Sequence, residues 1–197
     1  MSIITRTSYG PAAFAFDPES TIATAQPLVY YNGDHPTLGN YGISGSHPDF
    51  NGTTRITGIV FPHGTSSVLF FGVTGLGNWC YGEATCAGGD PMQQYKGDHA
   101  PPYVGYVWAY DANELAAVRS GSMQPWSVVP YKTWQLPQLG DVQEDFGVGG
   151  AAYDPATGRI FVSKLGGDGT NPLIYVYKVN NSTSTKTPNP PSAVTIK

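Results

Sequence analysis

The apolar positions of this chain fall in short runs broken by Gly, Pro, Asn and Asp, the pattern of β-strands joined by turns. Ile56-Thr-Gly-Ile-Val-Phe61 runs into the turn-rich Pro62-His-Gly-Thr65 and resumes as Val68-Leu-Phe-Phe71. The same alternation recurs at Val148-Gly-Gly-Ala-Ala-Tyr153, Asp154-Pro-Ala-Thr-Gly158 and Ile160-Phe-Val162. The two segments align without gaps, Gly58 on Gly150, Phe61 on Tyr153, Thr65 on Thr157 and Val68 on Ile160, at an offset of 92 positions (150 minus 58). Each reads as strand, turn, strand: Pro155 presets φ, Gly158 accepts φ > 0, and the flanking β-branched and aromatic residues fit a pleated surface.

A second set of strands follows the same order. Phe14-Ala-Phe-Asp17, Val107-Trp-Ala-Tyr-Asp111 and Ile174-Tyr-Val-Tyr177 are predicted third strands. Pro27-Leu-Val-Tyr-Tyr31 and Trp126-Ser-Val-Val-Pro-Tyr-Lys-Thr-Trp134 are predicted fourth strands. Between third and fourth, residues 112–119 have the propensity for a short helix, which Gly121 and Pro125 end quickly. Asp17, Asp111 and Asp154 stand at equivalent strand ends and are expected to accept backbone N–H bonds in turns.

The segments Gly58-Ile-Val-Phe61, Val107-Trp-Ala-Tyr-Asp111 and Gly150-Ala-Ala-Tyr-Asp-Pro-Ala-Thr-Gly-Arg-Ile-Phe-Val162 together resemble β-propeller blades of secreted multidomain proteins, over about residues 10 to 180. The resemblance implies an all-β, propeller-like fold of about two four-stranded antiparallel blades, with a compact β-sandwich as the alternative. Domain 1–180 then holds strands three and four at 10–32, a full blade at 55–137 and strands one to three at 147–179. Residues 181–197 are a Pro/Ser/Thr-rich linker, resembling the entry to a fibronectin type III-like domain. The sequence departs from the WD and kelch types: it has no Gly-His to Trp-Asp pair, and its period is about twice their blade length. Two blades are fewer than the four to eight of a ring, so the resemblance implies a homo-oligomer closing between chains or a fragment of a longer propeller.

Composition narrows the function classes. Only 12% of residues are charged, 25 are Gly and 17 are Pro, and the net charge of -4 comes without a basic stripe, which argues against a nucleic-acid partner. No run is long enough for a membrane span. Cys80 and Cys86 sit in a Gly-rich stretch at a spacing suited to a small disulfide-closed loop, which points to a secreted or cell-surface protein. Asn51-Gly-Thr53 and Asn180-Asn-Ser182 match the N-glycosylation triplet, a pattern that also arises by chance.

The candidate site lies in the long link between Phe71 and Gly105, because insertions in repeat folds map to loops on one face. Trp79, Tyr81, Tyr95, His99 and Tyr103 are the candidate ligand-binding residues there, since flat aromatic rings beside acids suit the apolar faces and hydroxyl rims of sugars. The favoured expectation is an extracellular ligand-binding or adhesion module with a carbohydrate or cell-surface ligand. The alternative is a glycoside hydrolase using Glu83, Asp98 and Glu144, which needs two carboxyl groups about 5–10 Å apart. Among the acids outside the repeated strand ends, Glu83, Asp90, Asp98, Glu144 and Asp145 are expected to be solvated loop residues. His35, His47 and His63 stand in turns without any metalloenzyme spacing, and His63 is expected at a hairpin tip. No cofactor is indicated, although the Gly166–Asn171 loop could offer oxygen ligands to Ca2+.

Overall fold

The computed structural model describes residues 10–19, 25–31, 49–83, 85–90, 94–140, 142, 147–179 and 192–195. They form an all-β fold. Hairpin β1 (Ala13–Ala15) and β2 (Gln26–Val29) makes a two-stranded sheet. A central antiparallel meander follows, in the order β3 (Arg55–Val60), β4 (Ser67–Gly75), β7 (Tyr103–Asp111) and β8 (Lys132–Gln135). A second meander runs β9 (Val148–Asp154), β10 (Arg159–Lys164), β11 (Leu173–Lys178) and β12 (Ser192–Thr195). The short pair β5 (Cys80–Gly82) and β6 (Gly97–His99) belongs to the link between β4 and β7. Among the described residues no sheet closes on itself.

Period-two alternation assigns each face of the central sheet to its own core. Leu69, Phe71 and Val73 of β4, with Val107 and Ala109 of β7, face Val148, Ile160, Val162 and Tyr177 of the C-terminal sheet. Val68 and Phe70, with Trp108 and Tyr110, face the opposite way against Val29, Tyr31 and Phe50. The repeated hairpins thus stack as layers, with the central sheet in the middle.

Local chemistry ends each element where the sequence indicates. Asp111 caps helix α1 (Ala112–Arg119) by accepting from the Asn113 N–H at 2.9 Å, and the helix buries Leu115 and Val118 against the hairpin core. Asp17 accepts from the Glu19 N–H at 3.0 Å. Asp154 accepts from the Ala156 N–H at 2.9 Å and from the Thr157 hydroxyl, and these bonds, Thr157 first, hold its carboxyl below the usual carboxylate range. His63 lies in the β3–β4 turn as expected and packs its ring edge on Tyr153, 5.7 Å away. In the hairpin core the Tyr31 hydroxyl donates to the Val128 carbonyl and lies 3.1 Å from the Tyr110 hydroxyl, while burial raises both phenols above their ordinary range.

Two expectations change. The fourth strand expected over 126–134 is confined to Lys132–Gln135. Residues before it are turn, because Pro125 and Pro130 cannot donate to a ladder and Val128 leaves the sheet to fill the hairpin core. Ring closure as expected for a propeller would complete strands one to three of 147–179 with a fourth strand from the N-terminal end; instead β12 pairs on β11, while β1 and β2 pair with each other.

The repeat alignment places Gly58 and Gly150 at equivalent positions, yet their surroundings differ. A Cβ on Gly58 would lie 2.5 Å from the backbone N of Ala151, so β3 and β9 approach backbone to backbone there. One on Gly150 would meet nothing nearer than the Thr57 carbonyl at 3.8 Å. Gly58→Ala is therefore expected to lose about 1–3 kcal/mol through overpacking against a rigid neighbour, and Gly150→Ala to stay within about 0.5 kcal/mol of wild type. Urea unfolding of the two variants checks the layer stacking; equal effects would contradict it.

Candidate functional site

The link from β4 to β7, residues 76–102, is rooted by hydrogen bonds from the Leu76 N–H to the Pro102 carbonyl at 2.9 Å and from the Gly77 N–H to the Ala100 carbonyl at 3.0 Å. It folds back as the β5–β6 pair, Cys80 opposite His99 and Tyr81 opposite Asp98. Cys80 and Cys86 form the expected disulfide, with Cα atoms 6.1 Å apart, and Cys86–Gly88 makes one 3-10 turn. A Gly-rich link of this kind lacks a hydrophobic core of its own, so the disulfide and polar contacts hold it.

Those polar contacts converge on two carboxylates that the sequence leaves looking solvated. Asp90 and Asp98 are each only 2% exposed. Asp90 Oδ2 accepts from His99 Nδ1 at 2.9 Å and from the Tyr103 hydroxyl, and the Asp90 carbonyl accepts from the Gln94 side chain. Asp98 Oδ1 accepts from Trp79 Nε1 at 3.0 Å. Gly52 lies flush against that bond: a Cβ there would sit 2.3 Å from Trp79 Nε1 and 2.6 Å from Asp98 Oδ1. The expectation of solvated acids is thus corrected for these two, because buried carboxylates in a Gly-rich loop are tolerable once each has strong donors.

Beneath Trp79, the Asn51–Thr54 turn ties the loop to β4. Asn51 Nδ2 donates to the Gly75 carbonyl at 2.9 Å, and its Oδ1 accepts from the Thr53 N–H at 2.9 Å and the Thr53 hydroxyl at 2.6 Å. The Thr53 side chain in turn accepts from the Gly75 N–H at 2.8 Å. The Asn51 carboxamide is therefore spent on the fold, and the glycosylation triplet there is read more simply as an Asx turn.

The candidate residues separate into an interior and an exterior. His99 is 0% and Tyr103 2% exposed, and Trp79 is half-buried. Tyr81 and Tyr95 are 54% and 79% exposed, and Glu83 is exposed with them. Glu144, with Gln143, Asp145, His35 and His47, lies outside the described residues. His99 Nε2 is buried without a hydrogen-bond partner among the described residues. Asp90 is the member of this network that sequence reasoning undervalued; its only signal was an acid in a loop crowded with aromatic donors.

No group of three His, Cys, Asp or Glu is placed to hold a metal ion among the described residues. In the Gly166–Asn171 loop Asp168 turns its carboxylate onto its own turn, accepting from the Asn171 N–H at 2.7 Å and the Thr170 N–H at 3.2 Å. These bonds, Asn171 first, hold its carboxyl below the usual carboxylate range.

Removing the Asp90 carboxylate takes the acceptor from His99 Nδ1 and Tyr103 together. Asp90→Ala is expected to destabilise the protein by about 3 kcal/mol, with Asp90→Asn costing less because an acceptor oxygen remains and Glu83→Ala costing under about 0.5 kcal/mol. Denaturant titration decides, and an Asp90→Ala variant as stable as Glu83→Ala would contradict a buried network.

Comparison with known proteins finds no match: no family model fits the chain, and neither a curated protein nor a solved structure matches it.

Proposed function

We propose that this chain is an extracellular ligand-binding module of propeller-like build, whose β4–β7 link presents a carbohydrate-binding surface. The observation that carries this reading is the division of the link: Asp90 bonds His99 and Tyr103 and Asp98 bonds Trp79 in its interior, whereas Tyr81 and Tyr95 stand 54% and 79% exposed. Exposed aromatic rings on a braced loop offer flat apolar faces on which sugar rings can stack. Glu83, two residues on from Tyr81 and also exposed, adds an acceptor for sugar hydroxyls.

The propeller-like build is supported by the gap-free repeat of the strand hairpins and by two four-stranded antiparallel meanders stacked face to face. The disulfide fits a secreted or cell-surface setting. Binding is preferred to glycoside hydrolysis because Asp98, one of the two link carboxylates that could face Glu144 across a sugar, is buried and accepts from Trp79 Nε1.

A glycan array probed with the whole protein, followed by calorimetry on the hits, tests the reading. Binding is expected, and Tyr81→Ala with Tyr95→Ala is expected to weaken it about tenfold or more, at roughly 0.5–1.5 kcal/mol per aromatic contact. An empty array, with turnover of chromogenic glycosides that is lost in Glu83→Gln, would overturn it in favour of hydrolysis.

A further inference from the structure

We propose that the open edge of β1 takes up an extended segment of a partner protein as an added antiparallel strand, apolar along its middle and acidic at an end. The residues involved are not those of the β4–β7 link, and the proposal is independent of carbohydrate binding.

The repeat indicates what belongs beside β1. Phe14-Ala-Phe-Asp17 aligns on Trp108-Ala-Tyr-Asp111 of β7, and the two segments end alike: Asp17 accepts from the Glu19 N–H at 3.0 Å, as Asp111 does from the Asn113 N–H at 2.9 Å. β7 lies between β4 and β8, and β11 between β10 and β12, whereas β1 pairs with β2 alone among the described residues. The neighbour that β1 lacks is thus the counterpart of β4 and β10. Both of those strands are antiparallel to their partner and apolar along the ladder. Phe70, Leu69 and Val68 stand opposite Trp108, Ala109 and Tyr110, and Val162, Phe161 and Ile160 opposite Tyr175, Val176 and Tyr177. Trp108 and Tyr110 are 0% exposed in that setting, while the aligned Phe14 and Phe16 are 46% and 60% exposed.

The space for such a strand is already shaped. An apolar groove of about 540 Å3 is lined by Ala13, Phe14 and Ala15 together. Alternation puts Phe14 on one face of β1 and its two neighbours on the other, so a groove that meets all three follows the edge of the strand. Ile59 and Phe61 at the end of β3, 40% and 56% exposed, line it too. Leu28, Val68 and Leu115 line the groove and also belong to the core between the hairpin and the central sheet. An added strand therefore continues an interface that the chain already makes, pairing its backbone with β1 and laying apolar side chains on the same core.

Charge sets the chemistry of the segment's end. Arg119, exposed in the last turn of α1, lines the same groove, and its guanidinium has one acceptor among the described residues, Gln26 Oε1 at 2.8 Å. A cation bonded to a neutral amide keeps its charge unmatched, and an incoming carboxylate supplies the match with donors to spare.

Peptide binding to the whole chain tests this. The probe has the β10 sequence Arg159–Lys164 with Arg159→Glu and Lys164→Glu, which keeps its apolar middle and makes both ends acidic. Saturable binding at about 100 µM or tighter is expected, with hydrogen-exchange protection gained at the amides of Ala13–Ala15. An added strand pairs through only one of its own edges, so N-methylation at alternate residues along that edge is expected to weaken binding at least tenfold, and along the other edge to leave it unchanged. The acidic probe is expected to outbind the unsubstituted, basic-ended peptide severalfold at low salt, an advantage lost in Arg119→Gln. No saturable binding up to about 1 mM, equal binding by both N-methylated forms, indifference to the charge of the peptide's ends, or protection gained at β9 and β11 in place of β1 would each overturn the proposal.

Discussion

Ser67–Gly75 is buried at every position because β4 must serve a core on each of its faces at once. A strand facing water on one side can discard half its side chains to solvent; β4 and its partner β7 cannot. Leu69, Phe71 and Val107 fill the space toward the C-terminal sheet, while Val68, Phe70 and Trp108 fill the space toward the hairpin. Each fully buried side chain of this kind is worth about 1.5–3 kcal/mol against its exposed state. The outer layers have no such arrangement, and each leaves apolar residues at its far side.

The candidate site inherits its rigidity from the same pair of strands. The link leaves at Gly75 and returns at Tyr103, which face each other at the end of the longest ladder in the fold. Tyr103 reaches into the link to bond Asp90, and the Asn51–Thr54 turn fastens the strand end from below. The loop interior is thus an extension of the sheet, made of polar bonds where the sheet uses apolar packing, while Tyr81, Tyr95 and Glu83 face solvent.

The strands were legible in the sequence wherever apolar runs met turn residues of known chemistry. Asp154-Pro-Ala-Thr-Gly158 forms the turn it spells, Asp111 caps a helix over 112–119, and Cys80 bonds Cys86. What stayed hidden depends on contacts between residues far apart in the chain. Gly58 and Gly150 look equivalent, but only Gly58 meets another backbone. Val128 reads as a strand residue until the Tyr31 hydroxyl claims its carbonyl from across the hairpin core. Asp90 and Asp98 look like loop acids because their donors, Tyr103, His99 and Trp79, are aromatic residues whose sequence signal is apolar. Residue type marked where aromatic and acidic residues gather, but which of them face inward and which outward was set by folding.

The central claim is that one sheet with two apolar faces holds the other layers together. Native-state hydrogen exchange measures this directly, since amides in the most stable unit exchange only through global unfolding. The account predicts that the amides of Leu69–Val73 and Val107–Tyr110 exchange slowest, at the free energy of global unfolding, while β1–β2 and β11 open at lower cost. Amides of β9–β11 outlasting those of β4 and β7 would contradict it.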